Sequence, residues 1–141
     1  MNIKITGTGS YIPENVKKNE DFHNHEFLNN DGSTINQPNK IIVKKFKAIT
    51  GIAERRYAKN NLNTSDIAFF AAKKAIEDAK INKEELDYII VAHNYGNVKH
   101  NTEQSDTVPS IASRVKQRLE IENPKCVGYD ILFGCPGWNE A

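Results

Sequence analysis

Apolar and polar positions alternate from Ile3 to Thr8 and then meet Gly7 and Gly9. This pattern predicts a first strand that ends in a tight turn. Pro13 follows at once and argues against a long helix there. Asn19-Glu20-Asp21-Phe22 suits the opening of a short helix. The stretch from His25 to Ile41 is irregular, with Asp31-Gly32 as a hairpin-type dipeptide between Phe27-Leu28 and Ile35. Asn36, Pro38 and Asn39 read as loop. From Ile41 to Thr50 the spacing of Ile42, Phe46 and Ile49 is helical, and Gly51 ends it.

The clearest periodicity runs from Thr64 to Lys80. Thr64 suits the N-cap and Asp66 the first turn. Ile67, Ala68, Ala71, Ala72, Ala75, Ile76 and Ala79 form a stripe of mostly small residues, which lets a helix lie close to its neighbour. Asn82 to Glu85 predicts a capping box and one more turn. Tyr88 to Ala92 is continuously apolar, as in a strand of a parallel sheet buried on both faces. A polar loop spans His93 to Thr107. Pro109 stands where a helix would start, and Ile111, Ala112, Val115 and Leu119 give that helix an apolar face. A further strand, roughly Cys126 to Leu132, leads to Gly134-Cys135, with Pro136 as the first residue of a last helix. Strand, helix, strand, helix, strand predicts an α/β layer of right-handed βαβ units. The last helix has no C-terminal cap, so the chain reads as the N-terminal part of something longer.

Composition narrows the class. The 141 residues suffice for one domain with a hydrophobic core, and 26% charged with 38% hydrophobic residues fits a globular protein. A net charge of +1 gives no case for nucleic-acid binding. No apolar stretch is long enough to span a membrane. The opening Met1-Asn2-Ile3-Lys4 lacks a leader pattern. Two cysteines without framework spacing suit a reducing, cytoplasmic setting.

Chemistry concentrates near the end of the chain. Cys135 falls at a strand-to-helix turn between Gly134 and Pro136-Gly137, a place where a thiol can serve as nucleophile. The same residues fit a small packed side chain, and the local pattern leaves both readings open. Cys126 lies nine positions earlier, with no turn around it, and reads as core. Gly7-Thr8-Gly9 imitates a dinucleotide fingerprint, but Ile12 and Pro13 break it. His93 ends a strand, where a Cys–His pair would be attractive; a packed or hydrogen-bonded loop histidine is the preferred reading. His23-Asn24-His25 lacks further ligands and reads as a solvated turn, with no metal site expected. Lys44, Lys45, Lys47, Arg55 and Arg56 cluster in sequence, either as a solvated face or as a dock for phosphate or an acidic protein.

Five segments, in order, resemble the β-ketoacyl-acyl-carrier-protein synthase III family. IKITGTGSYIPENVKKNEDF resembles its opening strand and loop. TGIAERRYA, Thr50 to Ala58, resembles its TGI-x-x-R motif. LDYIIVAHNY resembles its second strand, and VPSIASRVKQRL its Pro-Ser helix. YDILFGCPGW resembles the segment D-x-x-x-x-C-x-G-F that carries the active-site cysteine. The resemblance implies a thiolase-like fold of two related halves in an αβαβα arrangement, as a homodimer. Residues 1–141 would be an N-terminal thiolase-like ketosynthase domain, with the C-terminal half and its catalytic His and Asn absent. Cys135 matches the family nucleophile. It would take an acyl group from an acyl-coenzyme A or acyl-carrier-protein phosphopantetheine thioester, with no permanently bound cofactor. A carbanion then attacks the acyl-enzyme to give a β-ketoacyl product. This chain alone would be inactive.

The departures bear on the donor. Where the family clamps the adenine of coenzyme A with a Trp and an Arg, this chain has Lys45 and Ile49. An acyl carrier protein is acidic, so Lys45, Arg55 and Arg56, with Lys44 and Lys47, are the candidate binding residues for the substrate's carrier. Val108 matches a position that reaches across the family's dimer, and a small residue there leaves room for longer acyl chains. These features suggest a specialised lipid or polyketide synthase. The alternatives are acyl transfer without condensation and a non-catalytic partner subunit.

Overall fold

The computed structural model describes residues 3–141. Met1 and Asn2, read above as part of an opening without a leader pattern, lie outside the described residues. Two compact units form: Asn60–Ala141 with the segment that ends at Tyr11, and Ile12–Lys59.

The second of these units is built on polar residues. Strands β1 (Asn15–Lys18) and β2 (Glu54–Tyr57) pair antiparallel, with Val16 opposite Arg56 and Lys17 opposite Arg55. A 3-10 turn, Asn19–Phe22, follows β1 where a short helix was expected. Helix α1, Asn39–Thr50, starts two residues before the predicted helical spacing and ends at Gly51 as predicted. Leu28 and Thr34 bridge across the Asp31-Gly32 turn. The Ser33 hydroxyl, then its amide, donate to Asp31 and hold that carboxyl below its ordinary value. The buried Asn19 joins the pieces: its Nδ2 donates to the Ile52 carbonyl (2.9 Å) and its Oδ1 accepts from Arg55 (2.7 Å). The Arg55 guanidinium also lies over the Phe22 and Phe46 rings, 5.6 and 5.7 Å from their centroids.

The larger unit holds the apolar core. Helix α2 (Thr64–Ala79) is capped by Asn63 rather than by Thr64. The Asp66 carboxylate accepts the Asn63 N–H (2.7 Å), while the Thr64 hydroxyl donates to the Gly96 carbonyl (2.9 Å). Strands β3 (Tyr88–His93) and β4 (Val127–Leu132) pair in parallel, as the apolar run predicted, with Ile89 opposite Gly128 and Val91 opposite Asp130. Helix α3, Ile111–Arg118, covers the face carrying Ile89, Val91 and Gly128. Its N-cap is Ser110, so Pro109 stands outside the helix it was expected to begin. Ile111 and Val115 are fully buried, and Leu119, Ile121 and Cys126 complete the cluster. Each such side chain contributes about 1.5–3 kcal/mol by leaving water. Ala68, Phe69, Ala72 and Ile76 of α2 pack against the cluster. The opposite sheet face is not closed by the described residues: Tyr88 and Tyr129 meet edge to face and stay exposed there. The expectation of burial on both faces therefore holds for one face only. A short last helix, α4 (Gly137–Glu140), follows β4. Among the described residues no helix is long and apolar enough to cross a membrane.

The opening segment corrects one expectation. Ile3 to Thr8 joins no ladder among the described residues, and Ile3 and Ile5 stay exposed. A strand needs a partner for its amides and carbonyls, and none stands beside it. The segment lies instead along the alanine stripe of α2. Thr8 donates its N–H to Asp78 (2.8 Å), and Lys74 donates to the Ser10 carbonyl (2.9 Å). A Cβ on Gly7 would lie 2.5 Å from the Ala79 nitrogen, and one on Gly9 would strike the Ala71 carbonyl and the Ala75 amide. The paired glycines thus serve helix contact, which accounts for them without a nucleotide.

Gly7→Ala should cost about 2 kcal/mol, because helix backbone cannot give way as a side chain can. Urea unfolding of the natural full-length protein measures this. An unchanged midpoint would mean that the segment does not rest on α2.

Candidate active site

Parallel pairing brings the carboxyl ends of β3 and β4 to the same edge, at His93 and Leu132. Loops that leave this edge are the usual carriers of chemistry in α/β sheets. Phe133 continues the ladder by one bond, donating its N–H to the His93 carbonyl (3.0 Å). The chain then turns through Gly134, Cys135 and Pro136. Gly137 closes the turn with its N–H on the Gly134 carbonyl (2.9 Å). A Cβ on Gly137 would come within 3.2 Å of the Ala92 Cβ, so glycine lets α4 start tight against β3.

Cys135 is exposed at this turn and Cys126 is buried in the core. The two cysteines therefore separate as the sequence reading had placed them, one at a turn and one in packing. A hollow of about 350 Å³ lies between Ala92–Asn94 on one side and Phe133–Cys135 with Trp138 on the other. Among the described residues the Cys135 amide has no hydrogen-bond acceptor, and Pro136 brings no N–H of its own. One amide is thus free at the thiol, where an oxygen bound beside the sulfur would find it.

His93 borders the hollow but is not a base for the thiol. Its Nδ1 accepts the Gly96 N–H (2.9 Å), so the ring proton sits on Nε2 and is donated to Asp130 (3.0 Å). Both nitrogens are used, and the side chain is only 7% exposed. This is the hydrogen-bonded histidine preferred from sequence.

Asp130 is the residue that sequence reasoning missed. It is the aspartate of the D-x-x-x-x-C segment, yet nothing local signals its partners. Its carboxylate accepts N–H groups from Ile111 (2.6 Å) and Ala112 (2.8 Å) as well as from His93. One buried side chain therefore joins β4, the first turn of α3 and the end of β3.

The basic residues divide. Lys44 and Lys47 line a groove of the smaller unit with Lys18 and Lys40. Lys45 points elsewhere and donates to Gln37 (3.3 Å). Arg56 pairs with Glu54 (3.1 Å), and Arg55 is engaged with Asn19 and two aromatic rings. His23 and His25 share a turn whose carbonyls both accept from the Asn39 side chain.

Comparison with known proteins gives this geometry a context. No protein-family model matches the chain. β-Ketoacyl-[acyl-carrier-protein] synthase III 1 of Vibrio cholerae is 37% identical over 141 residues, which is 100% of this chain and 37% of that protein. The crystal structure of 3-oxoacyl-[acyl-carrier-protein] synthase III from Aquifex aeolicus superposes with a TM-score of 0.72 at 31% identity, covering 99% of this chain and 38% of that one. A structure of Xanthomonas campestris OleA, at 22% identity and a TM-score of 0.73 over 99% of this chain and 38% of its own, shares the fold. The chain spans about 37% of the length of the curated relatives it matches. It is a homologue, along its whole length, of part of the β-ketoacyl-[acyl-carrier-protein] synthase III family, and its fold is the α/β thiolase-like one.

Asp130→Asn should destabilise the protein by about 3 kcal/mol, since the amide group turns one accepting position into a donor facing N–H groups. Urea unfolding checks the value. A loss below about 1 kcal/mol would mean that the three bonds are not jointly formed.

Proposed function

We propose that the natural protein is a condensing acyltransferase of the β-ketoacyl synthase III type and that Cys135 carries its acyl group. The observation that supports this is the exposed thiol on a turn at the carboxyl edge of a parallel strand pair, beside a hollow, in a homologue of that family. The Cys135 sulfur, its proton released to solvent, attacks the carbonyl carbon of an acyl thioester. A new carbon–sulfur bond forms, the tetrahedral oxyanion takes a hydrogen bond from the Cys135 amide, and the donor's carbon–sulfur bond breaks. The donor sulfur leaves as a thiolate and takes up a proton. The acyl group then waits on Cys135 for a carbanion, generated by groups outside these 141 residues; its attack forms the carbon–carbon bond of a β-ketoacyl product as the bond to the Cys135 sulfur breaks and the thiolate is released.

The donor we propose is carried on an acyl carrier protein in preference to coenzyme A. Lys45 and the exposed Ile49 occupy the positions of the family's adenine clamp. Lys18, Lys40, Lys44 and Lys47 line one groove together with Glu20 and Glu54, and none of the four lysines is in an ion pair among the described residues. Such a groove suits an acidic protein surface. Lys45 lies outside this groove, donating to Gln37, and Arg56 is paired with Glu54, while Arg55 stacks on Phe22 and Phe46. The setting is cytoplasmic lipid or polyketide synthesis, with the full-length protein as a homodimer.

Intact-mass measurement after incubation with acyl-carrier-protein and acyl-coenzyme A thioesters tests the first step. The natural protein should gain one acyl group, and Cys135→Ala should gain none. No gain from any donor, in a folded protein, would dismiss the acyl-transfer reading.

Charge reversal at Lys44 and Lys47 tests the donor. The half-saturating concentration of acyl carrier protein should rise by about tenfold, with little change for coenzyme A thioesters. Equal effects on both donors, or none, would remove the groove from the docking surface.

A further inference from the structure

Both nitrogens of the His93 ring are committed to Asp130 and Gly96, while the residue itself borders the Cys135 hollow. The turn that carries Cys135 has few anchors. Its own bonds, Gly137 N–H to the Gly134 carbonyl and Asn139 N–H to the Pro136 carbonyl, are internal. Among the described residues, the one backbone bond from Phe133–Pro136 to another element is Phe133 N–H to the His93 carbonyl. The His93 carbonyl is therefore one of the points that place the sulfur relative to the sheet, with the covalent link to β4 and the close seat of Gly137 on Ala92.

The ring in turn fixes that carbonyl. On one side Nε2–H reaches Asp130, which also holds the first two amides of α3. On the other side Nδ1 takes the Gly96 N–H. Gly96 and its neighbour are themselves held. The Thr64 hydroxyl donates to the Gly96 carbonyl, and the buried Asn97 accepts the Ser65 N–H (3.0 Å). The starts of α2 and α3 and the strand β4 thus converge on one imidazole.

We propose that His93 is the positioning residue of the Cys135 turn, setting through its own carbonyl where the thiol meets the thioester. The proposal rests on the reading of Cys135 as the acyl-accepting thiol. With both nitrogens occupied, the ring acts by position and moves no proton. A nucleophile displaced by even a fraction of its reach loses rate steeply while binding persists.

Substitution can separate the two bonds. His93→Gln keeps a donor that reaches Asp130. His93→Asn keeps an acceptor near Gly96 without that reach. His93→Leu fills the space with neither. In the natural full-length protein, single-turnover acylation of Cys135 by a thioester is followed by intact mass across donor concentrations. His93→Leu should lower the limiting rate by about tenfold or more, with the half-saturating concentration within about twofold, and His93→Gln should recover to within about threefold. A merely structural residue would lower the folded fraction and leave the limiting rate per folded molecule unchanged. That outcome, or a His93→Gln variant as slow as His93→Leu, overturns the proposal. If His93→Leu does not fold, His93→Asn, which also lacks the Asp130 bond, carries the comparison against His93→Gln.

Iodoacetamide separates failure of this proposal from failure of the acyl-transfer reading. Should the natural protein take up no acyl group, that reading fails. The Cys135 alkylation rate should still change by about threefold or more in His93→Leu and return in His93→Gln. An unchanged alkylation rate across the series overturns the positioning role.

Discussion

The buried carboxylate of Asp130 is the joint on which the larger unit turns. It lies on β4 and accepts from two amides of α3 and from His93 at the end of β3. A carboxylate taken out of water is costly unless its lone pairs are met, and here three donors meet them. The arrangement also satisfies two of the orphan amides of the α3 start. Apolar packing of Ile111 and Val115 supplies the larger share of the energy but little direction. The carboxylate supplies direction: it fixes the height of α3 along the strands, and with it the edge from which the Cys135 turn leaves.

The smaller unit solves a similar problem without an apolar centre of that size. Asn19 and Arg55 take the part that Asp130 takes in the larger one, a polar pair that links strand, turn and helix. Arg55 fits because its planar cation can hydrogen-bond at its edge and lie over Phe22 and Phe46 on its faces. That is why two neighbouring arginines have different surroundings. Arg56, one residue on, points to the other side of β2 and pairs with Glu54 in solvent.

Legibility in the sequence followed the physics of each element. Helix α2, β3 and α3 were readable because their apolar positions keep to one pattern along each element. β1 and β2 were not, since Asn15–Lys18 and Glu54–Tyr57 are nearly all polar and carry no period-2 signal. Ile3 to Thr8 did carry that signal, but pairing depends on what lies beside a segment, which no local pattern records. The Cys135 turn was visible from its glycines and from family resemblance. The Asp130 network was not, because its partners lie 18, 19 and 37 positions away in sequence. His93 reads from sequence as a packed or hydrogen-bonded histidine, and it is one, but its partners Asp130 and Gly96 carry no local signal.

The two cysteines show why residue type alone decides so little. Cys126 sits beside Ile121 and Leu119, where the thiol is a small apolar filler and even its carbonyl is taken by Lys116 (2.7 Å). Nine positions later the same side chain is exposed at a turn, and its amide has no acceptor among the described residues. The difference lies in strand length. β4 ends at Leu132, so Cys126 stands before its first residue, under α3, and Cys135 past its last, beyond the cover of α3. A chain that needs one inert and one accessible thiol can obtain both from a single strand, provided that something holds the far end still. In this fold a run of hydrogen bonds leads from Asp130 to His93 to Phe133, and the exposed thiol stands two residues beyond it.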